Sequence, residues 1–425
     1  MVAEEILQFV WQFRLFNQLN LYSTDDEKIR IVHVGYRNNN AGPDFLFCEI
    51  EIGFTRWYGH VEIHVDGNDW KRHRHDRDAR YNNVVLHVVY LNPTSIYRQD
   101  GTRIPSLSLN NLIDENFLER YRRVQNNRDW IPCEKQLSSL SEVLKAGVLQ
   151  RMGVTRLENR YRQLQRMYVV EHGNWERILF LRLIRSFGMK VNADAFEELG
   201  KVLDFSLLYK YRHDPIKLEA IVFGQAGFLS CSAPEGHMKM LFTAYSYLRK
   251  IHQLSEISVL SWKFLRMRPF NFPTFRLAQL AMLVQQDQLF ERLLAASDVF
   301  AFMSSLATIR TSAFWETHFT FHKKTTRHRT KLSSRFMERL VLNSFIPVLF
   351  AYGKITGLER FKQRALDWLE CLQPEENSVV RQFRRLNVVP VHALDSQGLL
   401  ELKENYCDAK KCLQCALGGA FLLRG

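Results

Sequence analysis

Apolar and polar positions change period twice along this chain. Between Glu4 and Asn17, the residues Ile6, Val10, Phe13 and Phe16 fall on one side of a helix. Lys28–Tyr36 (KIRIVHVGY) then alternates and is rich in β-branched residues, which predicts a strand. The Gly42-Pro43 pair breaks the pattern. Leu46–Ile52 and Gly59–Val65 read as two strands of a hairpin. Asp69–Tyr81 is dense in charge and predicts a short surface helix or ordered loop, and Val84–Tyr90 (VVLHVVY) predicts a strand buried on both faces. The expected order is helix, three strands, helix, strand, an α+β or α/β module over residues 1–128. From about Asn116 onward apolar residues recur at threes and fours. That spacing predicts an all-helical domain over residues 129–400, interrupted near Phe223–Phe228 and Arg268–Phe275, with a cysteine-bearing segment at 401–425.

Charge sharpens this division. The chain of 425 residues carries 58 Lys+Arg and 45 Asp+Glu, a formal net charge of +13. Residues 1–128 hold 16 basic and 17 acidic side chains, so the whole excess, 42 against 28, lies beyond them. A basic second part points to a polyanionic partner for that part. No apolar run reaches the ~18 residues of a membrane span, and MVAEEILQFV is too acidic for a secretory signal. Seven cysteines, an odd number in a chain this long, suit a reducing cytoplasm better than a disulfide framework. Glycine loops for nucleotides and the HExxH and GxSxG patterns are absent.

Candidate chemistry starts with two acids. Asp44 opens the second strand after Pro43, while Glu62 and His64, two apart in the third, project from the same face. A hairpin brings the carboxylates within reach of one divalent cation. Pro43-Asp44 and Glu62-Ile63-His64, in this order of elements, resemble the PD-(D/E)XK nuclease fold, the restriction-endonuclease-like architecture. The resemblance implies Mg²⁺ or Mn²⁺ held by Asp44 and Glu62. It places His64 where the family has a lysine that serves the attacking water. It also implies an acid on the first helix, Glu4 or Glu5, and accessory contacts after the third strand from His73, His75 and Asp78. Alternatively Glu62 pairs with Arg56 or Arg77, and Asp44 caps its turn. His87, among valines, reads as a hydrogen-bonded core histidine.

Longer stretches are more specific. GPDF at 42–45, GHVEIHVDGNDWKRHRHDRDARYNNVVLHVVY at 59–90, RPFNFPTFRLAQLA at 268–281 and YCDAKKCLQCALG at 406–418 resemble the bacterial family called domain of unknown function 2851. That resemblance implies no activity.

Two further groups complete the picture. Cys407, Cys412 and Cys415 form C-x4-C-x2-C, a spacing that lets thiolates share zinc or an iron–sulfur cluster. Cys48, Cys133, Cys231, Cys371 and His392 compete for the fourth ligand, with Cys133 (WIPCEK) preferred; the alternative is three small buried thiols packing a terminal helix. His322–Arg335 (HKKTTRHRTKLSSR) is basic without an acid, so Lys323, Lys324, Arg327, Arg329 and Lys331 are candidate nucleic-acid phosphate contacts. The aromatics around Lys263, Arg266, Arg268 and Arg276 read mainly as packing. Two functions follow: a divalent-metal-dependent nuclease acting on DNA or RNA, or a non-catalytic nucleic-acid-binding or assembly protein that keeps the fold.

Overall fold

The N-terminal helical spacing folds as α1 (Glu4–Gln12), which buries Leu7, Phe9, Val10 and Trp11. In the computed structural model, which describes residues 2–38, 40–230 and 234–423, α1 belongs to a unit made of Met1–Val148 and Leu402–Gly425. A second unit spans Leu149–Glu401.

The first unit is built on a sheet. Its strands are β1 (Leu21–Tyr22), β2 (Lys28–His33), β3 (Tyr36–Arg37), β4 (Phe45–Ile52), β5 (Thr55–Asp66) and β6 (Val84–Leu91). A hairpin of β7 (Ile96–Tyr97) and β8 (Arg103–Ile104) stands apart, and β9 (Ser106–Ser108) completes the sheet. The sheet order is β1-β2-β4-β5-β6-β9, with β3 also pairing β4. Pairing is antiparallel through β5 and parallel from β5 to β6 and from β6 to β9. The β4–β5 register sets Phe45 opposite Val61, which brings Asp44 beside Glu62. Two glycines permit this geometry. Gly42 takes φ +111° in the turn before Pro43, and a Cβ on Gly59 would meet the Asn83 carbonyl at 2.5 Å where β5 meets β6.

The charged stretch between β5 and β6 is not one helix. It is α2 (Asp69–Arg72) followed by two 3₁₀ turns, His75–Arg77 and Ala79–Tyr81. Trp70 and Tyr81 anchor it over Val84, Ile96 and Ile104, and Trp70 Nε1 donates to the Tyr97 carbonyl at 3.1 Å. The strands fall where the sequence places them, except that Lys28–Tyr36 is divided between β2 and β3 and that β5 runs four residues earlier and one later than Gly59–Val65. Beyond the sheet lies α3 (Glu115–Asn126), whose N-cap Asp114 accepts from Asn116 N. The C-terminal segment closes the unit: Arg120 Nε donates to the Leu422 carbonyl at 3.3 Å, and Leu413 and Leu422 join the core around Phe9, Ile63 and Phe117.

The second unit is helical apart from one short hairpin among its described residues, His318–Thr320 with Lys323–Lys324. Its core is aromatic, with Phe187, Phe196, Phe223, Phe275, Trp315 and Phe345 fully buried. That accounts for most of the phenylalanine seen at helical spacing. Among the described residues, no helix is long and apolar enough to cross a membrane.

Candidate functional site

Three acids meet at the start of β4. Asp44 N donates to Glu62 Oε2 at 3.1 Å, and Ile63 N donates to Asp44 Oδ2 at 3.0 Å, so the two carboxylates are cross-tied by backbone of the neighbouring strand. From α1, Gln8 Nε2 donates to Asp44 Oδ1 at 2.8 Å and to Glu4 Oε1 at 3.5 Å, while Arg37 Nη2 donates to Gln8 Oε1 at 2.7 Å. Glu4 is therefore the acid that α1 contributes, and Glu5, one position on, is exposed. Burial, and then the charge of Glu62, pushes the Asp44 carboxyl up to about 7, against the pull of the Ile63 N–H. Burial likewise pushes Glu62 up to about 8, with Glu4 adding to the rise. Glu4 is raised by burial and by Asp44. Negative charge is costly here without a cation.

Imidazoles line the other side. Glu62 Oε1 lies 3.5 Å from His64 Nε2 and 3.4 Å from His75 Nε2. His73 Nδ1 lies 3.2 Å from His64 Nε2, and His64, His73 and His75 each offer a nitrogen within 4.8 Å of the others. Arg74 makes this possible. Its left-handed backbone (φ 62°) ends α2 and turns the chain so that residues two apart face the same centre. On a continuous helix they would diverge. His75 stacks on Tyr81 with centroids 3.8 Å apart.

Behind them runs a relay of neutral groups. His64 Nδ1 is 2.9 Å from His87 Nε2, and His87 Nδ1 is 3.4 Å from Ser106 Oγ. Burial, then the neighbouring imidazoles beginning with His87, holds His64 down to about 2; burial holds His87 down to about 3. In the tautomers in which His64 Nδ1 donates to His87 and His87 Nδ1 donates to Ser106, the His64 Nε2 lone pair turns toward Glu62. His87 is thus a core histidine with a second task, orienting His64.

Asp78 does not join the group. It caps the second 3₁₀ turn and pairs with Arg80, whose hydrogen bonds draw its carboxyl down to about 2. Arg56 pairs with Glu49 and Glu51, and Arg77 with Asp76, so neither answers Glu62 as the alternative reading supposed.

The model of a family described as a protein of unknown function (DUF2851) matches residues 4–378. The chain belongs to that family. No curated protein and no solved structure matches it. The DUF2851 match takes in the whole acid–imidazole group and stops short of the terminal cysteines.

Those cysteines nevertheless sit in the same unit as the sheet. Cys133, Cys412 and Cys415 are buried and Cys407 is half-buried. The 130s lie against the terminal segment: Lys403 Nζ stands 5.2 Å over the Trp130 ring, and Gln125 Nε2 donates to the Lys410 carbonyl at 3.0 Å. Cys133 is close enough to Cys412 and Cys415, and Cys407 to all three, for each to disfavour ionisation of its neighbours, after burial itself. Burial pushes Cys133 up to about 12 and Cys412 to about 11. Of the competing ligands, Cys48 donates to the Val34 carbonyl inside the sheet, Cys371 is exposed in the second unit, and His392 there faces Asp395. Cys231 lies outside the described residues.

Lys323, Lys324, Arg327, Arg329 and Lys331 are all exposed on the second unit. Glu316 pairs with Arg327 at 2.6 Å. Among the nearby aromatics, Trp262 and Phe275 are core as expected, but Phe270 is half exposed. Sequence reasoning missed Gln8 and Ser106 as supports, and it missed the depth of Arg276. Gln8 had a faint signal, a lone polar residue on the apolar face of α1, four positions from Glu4.

Proposed function

We propose that the first unit is a metal-dependent phosphodiesterase acting on DNA or RNA, and that Glu4, Asp44 and Glu62 together with His64 and His75 hold one divalent cation. The observation that carries this reading is the convergence of buried, mutually repelling carboxylates with three imidazoles. The donors fit such an ion: oxygen alone suits Mg²⁺, whereas a mixed oxygen and imidazole set favours Mn²⁺ or another transition ion. The likeness of Pro43-Asp44 and Glu62-Ile63-His64, in this order of elements, to PD-(D/E)XK nucleases supports the choice of phosphodiesters.

A bound divalent ion supplies charge against the developing phosphorane and lowers the pKa of an attacking water. The residues do the rest. Asp44 and Glu62 are fixed by backbone N–H groups and need no reorganisation to serve as ligands. His64, buried and oriented by His87, serves as an electron-pair donor rather than as the base. His73 is the exposed imidazole, and we assign it the task of orienting the attacking water and accepting its proton. Exposed Lys71 and Arg74 flank it and suit phosphate oxygens.

The test is a panel of single- and double-stranded DNA and RNA incubated with the full chain and Mn²⁺. Cleavage is expected, and Glu62→Ala is expected to abolish it while circular dichroism stays unchanged. Equal cleavage by the variant overturns the assignment. The departure from lysine at His64 favours a second reading, a binding protein without chemistry. It predicts salt-sensitive binding with no metal-dependent cleavage.

We also infer a structural metal at Cys133, Cys407, Cys412 and Cys415, since these thiols are near enough to disfavour one another's ionisation and the C-x4-C-x2-C spacing suits zinc or an iron–sulfur cluster. Metal analysis with a visible spectrum of the purified chain tests this. A metal-free protein with four titratable thiols contradicts it.

A further inference from the structure

A cavity of about 420 Å³ opens in the second unit beside the helix Pro273–Val284. Five cations line it, Arg268, Arg276, Lys331, Arg335 and Arg339, and no carboxylate does. Phe270, Phe275 and Phe336 supply rings to the same walls.

Arg276 decides what the cavity is for. It is only 5% exposed. Nη1 donates to Gln279 Oε1 at 2.7 Å, Nη2 donates to Asn271 Oδ1 at 2.9 Å, and the guanidinium sits 3.5 Å over the Phe336 ring. All of these partners are neutral. Nε is buried with no hydrogen-bond partner. Burial and the neighbouring Arg339 draw the side chain down to about 9, so this neighbouring charge opposes it rather than balancing it. A buried guanidinium ordinarily has a carboxylate, because an unpaired charge in a low-dielectric site costs several kcal/mol. Among the described residues no carboxylate pairs with Arg276, so an anion from outside the chain would supply the counter-charge.

We propose that this cavity is a nucleotide pocket, in which Arg276 and the surrounding cations take a phosphate and the aromatic wall takes the base. The guanidinium fork matches phosphate oxygens. Phe270, 49% exposed at the rim, offers a face on which a base can stack. The volume falls in the range of small-ligand sites, roughly 300–1,000 Å³. Lys331 also borders a second, smaller depression lined by Arg310, Arg327 and Arg329 and by Glu316, which pairs with Arg327. A phosphate chain leaving the pocket would continue over cations. This inference concerns the second unit alone and stands whether or not the first unit cuts.

The experiment is a calorimetric titration of the full chain, without added divalent metal, by AMP, adenosine, inorganic phosphate, and one short oligonucleotide with a 5′-phosphate or a 5′-hydroxyl. AMP and the 5′-phosphorylated strand are expected to bind at least ~10-fold more tightly than adenosine and the 5′-hydroxyl strand, from the loss of charge-assisted hydrogen bonds. Arg268→Ala and Arg339→Ala, which leave the buried Arg276 contacts in place, are expected to weaken AMP by a similar factor. Phe270→Ala is expected to weaken AMP several-fold and leave inorganic phosphate unchanged. A 5′-phosphorylated strand that binds more tightly than AMP identifies a strand end as the ligand, and equal binding identifies the free nucleotide. No binding of AMP or the phosphorylated strand at millimolar concentration overturns the proposal. So does adenosine binding as tightly as AMP, or AMP binding that neither arginine variant weakens.

Discussion

The two units bury charge of opposite sign without an internal partner. In the first, Asp44 and Glu62 share a buried site beside His64, which burial keeps neutral, and burial pushes both carboxyls toward or above neutrality although Arg37 draws Asp44 down. In the second, Arg276 is buried among amides and a ring, with Arg339 as a neighbouring like charge. Elementary electrostatics reads both alike. A ligand would correct each imbalance, a cation at the proposed site of the first unit and an anion at that of the second. The charge count agrees: the sheet-bearing sequence is nearly balanced, and the basic excess lies beyond residue 128.

Breaking the cation side should have the largest effect. Glu62→Ala is expected to lower Mn²⁺-dependent cleavage at least ~100-fold, a loss typical of a catalytic metal ligand or its close support. Any residual rate within tenfold of wild type would mean that the acids are not the site. Breaking the thiol set comes next. Cys133→Ser is expected to lower bound metal and to drop the thermal midpoint by several degrees, since the binding energy of a structural metal would add to folding free energy; Cys371→Ser, an exposed thiol, is expected to leave both unchanged.

The pH response gives a smaller and more diagnostic effect. A carboxyl whose pKa is raised in the folded state favours that state only while protonated, so its contribution is lost as pH rises through the folded value. For Asp44 and Glu62 those values are about 7 and about 8. His64 and His87 act in the opposite direction but below their ordinary 6.5. The midpoint of the metal-free chain should therefore fall between pH 6.5 and pH 8, and added Mn²⁺ should restore it most at the upper end. Glu62→Gln should flatten the slope. A thermal-shift series across that window reads it directly. The smallest contrast lies within α1: Glu4→Gln should weaken Mn²⁺ several-fold, whereas Glu5→Gln should not, as a metal titration would show.

Much of this was legible in the sequence because it was local. The strand containing Glu62 and His64 declares its period, so their shared face follows directly. Asp44 at the hairpin mouth follows from Gly42-Pro43. Three things were not legible, each for a non-local reason. His73 and His75 face one centre only because Arg74 adopts a left-handed conformation that its residue type does not announce. Asp78, spaced like a helix partner of His75, is captured by Arg80 two residues on once the helix ends. The depth of Arg276 depends on Gln279, Asn271 and Phe336 enclosing it, and a basic residue among phenylalanines reads equally well as an exposed one. The choice of Cys133 over more distant thiols rested on its position at the junction, and the fold of residues 402–423 against the 120s and 130s is what sets it beside the terminal three.

The most direct test is a calorimetric titration of the metal-free full chain with Mn²⁺ at pH 7.5, run in parallel on Glu62→Ala. The account predicts one saturable ion per chain with release of protons from the Asp44 and Glu62 pair, and loss of that binding in the variant. No saturable binding, or equal binding by the variant, would contradict it.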